Sequence, residues 1–360
     1  MQEQEKIDAL SKIARQLINI IVFLVVIILF LSGWIVYSGL EKKNQPNKTP
    51  SSPSTAAMQT TAAAASPATD FWQAPDISSL PENAEKEILL YGKELITNTA
   101  LFFGPNGKIS KNRTNGMSCQ NCHLAAGTKV YGNNYGSVFS TYPKYRARSG
   151  AEEDISKRVN DCFERSLNGK ALAVNSREMK AITSYINWLG KDVPKGEKAK
   201  GSGFKDIPFL DRAANSLNGK MIYAQKCQSC HQANGEGVLN ADKTAFTYPP
   251  LWGKNSYNDG AGLYRISNLA KYVKSNMPLG ASHDNSILTD EEAWDLAAYI
   301  NSQPRPSMNI KKDWPKTEEK PIDHPFGPFV DGFSAEQHKY GPFQPIKEKL
   351  DALKKEKIKS

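Results

Sequence analysis

Two short segments carry most of the chemistry in this sequence. Cys119-Gln120-Asn121-Cys122-His123 and Cys227-Gln228-Ser229-Cys230-His231 share the pattern C-x-x-C-H and use four of the five cysteines. Two thiols two residues apart reach the two vinyl groups of one porphyrin, and the adjacent histidine presents its imidazole to the iron. This is the attachment signature of c-type haem. Two covalently attached haem c groups are therefore expected, one on Cys119, Cys122 and His123 and one on Cys227, Cys230 and His231. A zinc site made from the two pairs competes with this reading. It fits poorly, because a histidine directly follows each pair and the pairs lie in separate units. A thioredoxin-like redox site needs a βαβ setting, which neither motif has. Proteins with this motif receive haem outside the cytoplasmic membrane, so the chain beyond the first 37 residues is expected in the periplasm.

Each iron then needs a second axial ligand from the stretch between its motif and the last helix of its unit. For the second motif that window is 232–288, which holds Met277, followed by Pro278, and His283. Met277 is the expected ligand, since Met-Pro before the last helix is the usual arrangement in small c-type cytochromes. His283 is the alternative ligand, and core packing is the alternative role for Met277. Met308 lies beyond the last helix. The first window, 124–174, has neither Met nor His; Met117 precedes the motif and Met179 falls in the last helix.

What remains in that window is Cys162. A lone cysteine is by default a small buried apolar side chain, but its surroundings argue for more. Ser149 and Glu152 read as a capping box, Glu152, Glu153 and Asp154 suit a helix start, and Asn168-Gly169 stops the helix. Between them Ile155, Val159, Cys162 and Phe163 make an apolar stripe at helical spacing, so Cys162 is expected to face the core. Arg158 at i−4 and Ser166 at i+4 share that side, with Arg165 at i+3. A cysteine beside arginines tends toward thiolate, the form that binds metal and attacks sulfur. Lys170, Tyr145, Arg146 and Arg148 are candidates to complete an anion pocket, or else part of a solvated charged face.

The elements that must position these groups fall into two units of similar grammar. The first, 71–203, is expected to be a cytochrome c-like domain. It carries a helix-like stretch at Pro81–Thr99 and a last helix starting at Asn175 or Ser176 and capped by Gly190. The second, 204–305, is expected to be a second cytochrome c-like domain. It has a helix-like stretch at Leu217–Ala224 and a last helix opened by a Thr289–Glu292 capping box, with Ala293, Leu296, Ala297 and Ile300 at helical spacing. No alternating strand run stands out, so the fold class is all-α. Residues 306–360 are expected to be an extended C-terminal tail. Its lysines (Lys347, Lys349, Lys354, Lys355, Lys357, Lys359) read first as an exposed helix end and second as a partner or lipid contact.

The chain has 360 residues, 39% apolar and 23% charged, with a net charge of +9. It can build packed cores, and so mild and dispersed a charge does not argue for nucleic acid. Five cysteines are too few for a disulfide-stapled scaffold. Leu17–Tyr37 is uncharged and long enough for one bilayer core at about 1.5 Å per residue. A cleaved signal peptide would have a shorter apolar run with a cleavage site close behind. The expectation is thus an uncleaved anchor. Residues 1–40 hold a cytoplasmic start and a single transmembrane helix in a bacterial inner membrane. Residues 41–70, rich in Pro, Ser, Thr and Ala, form a flexible linker.

At this point the sequence resembles a known family, the dihaem thiosulfate dehydrogenases, or tetrathionate-forming cytochromes. The matching stretches are DCFERSLNGK around Cys162, both C-x-x-C-H motifs, YPPLWGKNSYNDGAG at 248–262, NMP at 276–278 and DGFSAEQHKYGPFQPI at 331–346. The resemblance implies a first haem with His/Cys ligation, here His123 and Cys162, as the active site. It implies a second haem with His/Met ligation, here His231 and Met277, that passes electrons out. Some members carry a Lys beside that Met as an alternating ligand; Asn276 stands there, so no such switch is expected. The implied reaction joins two thiosulfates into tetrathionate, or runs in reverse. The expected catalytic residues are Cys162 and, from the reading of its surroundings, Arg158, Ser166, Arg148 and Lys170. Cys162 either ligates iron only or also carries a transient thiosulfonate adduct. The implied partner is a periplasmic or membrane redox protein such as a small c-type cytochrome. The rival reading is a non-enzymatic, membrane-tethered dihaem electron carrier, which would need no lone cysteine beside arginines. A third is a cytochrome acting on other sulfur species with a partner subunit.

Overall fold

The computed structural model describes residues 15–25, 27 and 70–359. The chain separates into two compact units, 1–66 and 67–360. In the first unit, residues 15–25 are helical and exposed. Among the described residues no helix is long and apolar enough to cross a membrane. Most of the expected span at 17–37, and the linker expected at 41–70 apart from Asp70, lie outside the described residues.

The second unit contains two hydrophobic cores, each organised around a pair of crossing helices. The first core packs α1 (Ala84–Thr97) against α3 (Arg177–Leu189), with α2 (Ile155–Asp161) beside them. Asn83 caps α1 and Ser176, one of the two expected starts, caps α3 through side-chain oxygens. The helices cross so closely at Gly92 that an added Cβ would lie 2.1 Å from the Ala181 carbonyl oxygen. Leu95, Ile96, Phe103, Phe163, Met179 and Tyr185 fill the space between them. The second core repeats the device. Helix α4 (Ser216–Lys226) crosses α6 (Asp290–Ser302) at Gly219, where a Cβ would lie 1.9 Å from the Asp295 carbonyl oxygen. Helix α5 (Ile266–Asn276) packs on α6, and the Thr289–Glu292 capping box forms in both directions.

Three expectations need correction. The fold is mostly helical, but not purely so, because two short antiparallel pairs are present. These are β1 (Lys144–Arg146) with β2 (Ala151–Glu153), and β3 (Val238–Leu239) with β4 (Phe246–Tyr248). Ser149 and Glu152 do not start a helix. Gly150, at φ +65°, turns the chain back so that Glu152 pairs with Tyr145 and Glu153 with Lys144. Asp154 then caps α2, accepting from the Lys157 amide at 2.7 Å. The C-terminal segment is also not extended. It includes α7 (Gln344–Lys359), and Phe343 and Ile346 are buried in the second core. Two or three residues per strand are too few for period-two patterning to register. The tail's apolar residues are spaced too irregularly to announce burial.

Candidate active site

Cys162 sits where α2 changes its hydrogen bonding. Residues Cys162–Ser166 form one π turn, and the Leu167 amide donates to the Cys162 carbonyl at 2.9 Å, an i to i+5 bond. Such single-turn widenings favour functional sites because they re-aim side chains within a rigid helix. The turn faces a cavity of about 580 Å³, whose wall includes Cys119, Cys122, His123, Arg158, Cys162 and Ser166. That volume is in the range of about 300–1,000 Å³ common for cofactor sites.

The first motif is set by its neighbours. Cys119–Asn121 is a 3-10 turn, with Asn121 Oδ1 accepting from the Ser118 amide at 2.7 Å and Thr99 Oγ1 accepting from the Cys119 amide at 3.0 Å. His123 Nδ1 lies 2.5 Å from the Asn133 carbonyl oxygen. A carbonyl only accepts, so Nδ1 carries the hydrogen and Nε2 keeps its lone pair. Burial pushes His123 down to about 4, which keeps the ring neutral, and the ring stacks on Tyr135 at 4.5 Å. Burial pushes the Cys122 thiol up to about 12, and the charge of Cys162 adds to this. His231 repeats the arrangement, with Nδ1 2.8 Å from the Pro249 carbonyl. Each motif thus offers two thiols and an oriented imidazole with a free Nε2, the donor set of covalent haem with an axial histidine.

Arg158 donates from Nη1 to Cys162 Sγ at 3.1 Å. The charge of Cys162 holds this guanidinium above its ordinary range despite burial. Arg148 also lines the cavity and donates to the Gly260 carbonyl at 3.2 Å, while its Nε is buried without a partner. Burial, then the nearby charge of Arg165, pushes Arg148 down to about 10. Arg146 is in the wall as well. Tyr145 is exposed and bonds Glu319 at 2.6 Å, and Lys170 is exposed and does not line the cavity.

In the second half, Met277 caps the C-terminus of α5 and packs against the same core as Cys227. The His283 ring instead lies edge-on to Phe71 at 5.0 Å and tilted to Tyr131 at 5.1 Å. Two hydrogen bonds from α5 reach the first motif's loop. Tyr272 donates to the Asn121 carbonyl at 2.9 Å, and Asn276 Nδ2 to the Tyr131 carbonyl at 3.1 Å. Trp314, Arg265 and Tyr142 also line the cavity. Sequence reasoning missed them, since each is brought in by tertiary folding from a segment without a motif.

Two haem-attachment motifs, each on its own helical core, define a c-type cytochrome with two haem c groups. The comparisons agree. The SoxA/TsdA cytochrome c domain matches residues 109–194, and the cytochrome c family matches 216–304. A thiosulfate dehydrogenase from Psychrobacter arcticus is 39% identical over 242 residues, covering 67% of this chain and 71% of that protein. One from Allochromatium vinosum is 36% identical over 236 residues, covering 64% of this chain and 83% of that protein. Among solved structures, the as-isolated form of thiosulfate dehydrogenase (TsdBA) from Marichromatium purpuratum aligns with a TM-score of 0.61 at 31% identity. That match covers 66% of this chain and 50% of the other. The chain belongs to the thiosulfate dehydrogenase family.

Proposed function

We propose that this chain oxidises thiosulfate, joining two molecules through their outer sulfurs into tetrathionate with release of two electrons. The observation that carries the reading is the Arg158–Cys162 contact on the wall that also holds Cys119, Cys122 and His123. A pure electron carrier has no use for a cation-backed cysteine there. His123 and Cys162 would hold the first iron, and His231 and Met277 the second. When bound, each haem accepts one electron, so the pair takes up both.

The chain's own residues handle charge and position. Two dianions must approach each other, and their mutual repulsion is the main obstacle. Arg158 and Arg148 offset it from one wall, and Ser166 supplies a neutral hydroxyl at the same surface. The Arg158 guanidinium also donates to the Cys162 sulfur and holds it at that wall. The wall is buried enough that these contacts are stronger than in water. No proton is required, since thiosulfate reacts as the anion.

Residues 17–37 serve as a membrane anchor in this reading, with the catalytic part in the periplasm and a small redox protein as electron acceptor. The uncharged run of that length supports the anchor. The decisive experiment supplies thiosulfate and a one-electron acceptor to the purified holoprotein and measures tetrathionate. Stoichiometric formation, two electrons per tetrathionate, is expected; no tetrathionate from a fully haem-loaded protein overturns the reading.

A further inference from the structure

The cavity wall contains more arginines than the substrate would use, and the C-terminal tail answers two of them. Arg165 donates from Nη1 and Nη2 to the two oxygens of Asp313 at 2.8 and 2.9 Å, a bidentate fork whose side chains are only 10% and 12% exposed. Arg265 donates from Nε to Asp323 at 2.7 Å. Among the described residues neither Arg148 nor Arg158 has a carboxylate at ion-pairing distance. Arg148 and Arg165 share the Gly260 carbonyl, at 3.2 and 3.4 Å. The charge of Asp313 therefore sits directly behind the cation assigned to the substrate. The next residue ties the segment down, with the Trp314 amide donating to the Arg148 carbonyl at 2.7 Å.

We propose that Asp313 is a positioning residue that sets the charge of the substrate site: by claiming Arg165 it leaves the dianion to Arg148 and Arg158. The inference rests on the thiosulfate reading above. In that reaction two dianions enter, two electrons leave, and one dianion departs, so the bound negative charge halves. A third free arginine would hold substrate and product alike. Such uniform binding lowers KM without raising kcat, and it slows the departure of an anionic product. The bidentate geometry removes that cation while keeping Arg165 in place to support the π turn.

The test uses haem-loaded full-length protein. Asp313→Asn is expected to lower KM for thiosulfate by about fivefold, the effect of one partly screened charge, with no rise in kcat. It is also expected to raise the potential of the first haem, because a nearby negative charge is gone. Asp313→Glu should restore both values. The double variant Arg165→Gln with Asp313→Asn leaves net charge unchanged and should return KM to within about twofold of wild type. An unchanged KM and potential in Asp313→Asn would make the pair a structural strap only and overturn the proposal. A double variant with a tenfold higher KM would show that Arg165 itself holds substrate, with the same consequence. If Asp313→Asn yields no folded holoprotein, Asp313→Ser removes the same charge and is read by the same KM and potential. Wild-type tetrathionate formation tests the underlying reading separately, and the potential reports on Asp313 whatever the substrate is.

Discussion

Arg158 reaches one helical turn along α2 to place Nη1 3.1 Å from the sulfur of Cys162. The contact joins two functions that substitutions can separate. Cys162→Ala should leave both haems attached, since the thioether positions are Cys119, Cys122, Cys227 and Cys230. It should alter the spin state or ligation of the first haem alone and abolish thiosulfate oxidation. Arg158→Ala should change the spectrum less and raise KM by roughly tenfold to a hundredfold, as expected for a lost charge-assisted contact of about 1.5–3 kcal/mol. A Cys162→Ala protein with near-normal turnover would return the electron-carrier reading to first place.

Met277→Gly should remove the weak thioether–iron absorption band and lower the potential of the second haem, because a thioether favours reduced iron. His283→Ala should change neither, as its ring packs on Phe71 and Tyr131. The reverse pair of results would assign the ligand to His283.

The two helix crossings make a stability prediction independent of haem chemistry. Gly92→Val places a side chain against the Ala181 carbonyl and Gly219→Val against the Asp295 carbonyl. Each should cost about 3 kcal/mol or more, since neither helix can move without unpacking its core. Thermal unfolding monitored at 222 nm would show the loss, and an unchanged Tm in either variant would refute the close crossing.

His324 sets a pH dependence. It is 8% exposed, lies edge-on to Trp314 at 5.6 Å and contacts the Phe326 carbonyl through Nδ1 at 3.2 Å. Burial pushes it from an ordinary 6.5 down to about 4, and the charges of Lys320, Arg148 and Arg265 add to the shift. The folded value lies below the unfolded one, so the native state resists protonation. Stability is therefore retained above about 6.5 and lost as pH falls toward 4, by a total of about 3 kcal/mol from this group. His324→Gln should flatten that part of the denaturation profile between pH 7 and 4; an identical profile would exclude His324 as its source.

The haem motifs, the caps of α3 and α6 and the Arg158–Cys162 side of α2 were legible because each is local. A cap needs three or four residues, and C-x-x-C-H needs five. The hairpin before α2 was not legible, because Ser149, Glu152 and three acidic residues in a row imitate a helix start. Only the turn at Gly150 and the pairing of Tyr145 with Glu152 show otherwise. Lys170 and Arg148 were both candidates for the anion pocket, yet one is exposed and the other is in the wall. The roles of Asp313 and Trp314 could not be read at all, since roughly 150 to 170 residues separate them from Arg165 and Arg148, the arginines they meet.

That separation bears on how the protein is made. Both haem motifs precede the tail in the chain, and a chain emerges from its amino end. Trp314, which lines the cavity beside the first motif, and Asp313, which pairs with Arg165, are synthesised after both pairs of thiols, and Phe343 and Ile346, which fill the second core, later still. The last fifty residues thus settle onto a cavity wall and a core whose other parts come from earlier in the chain.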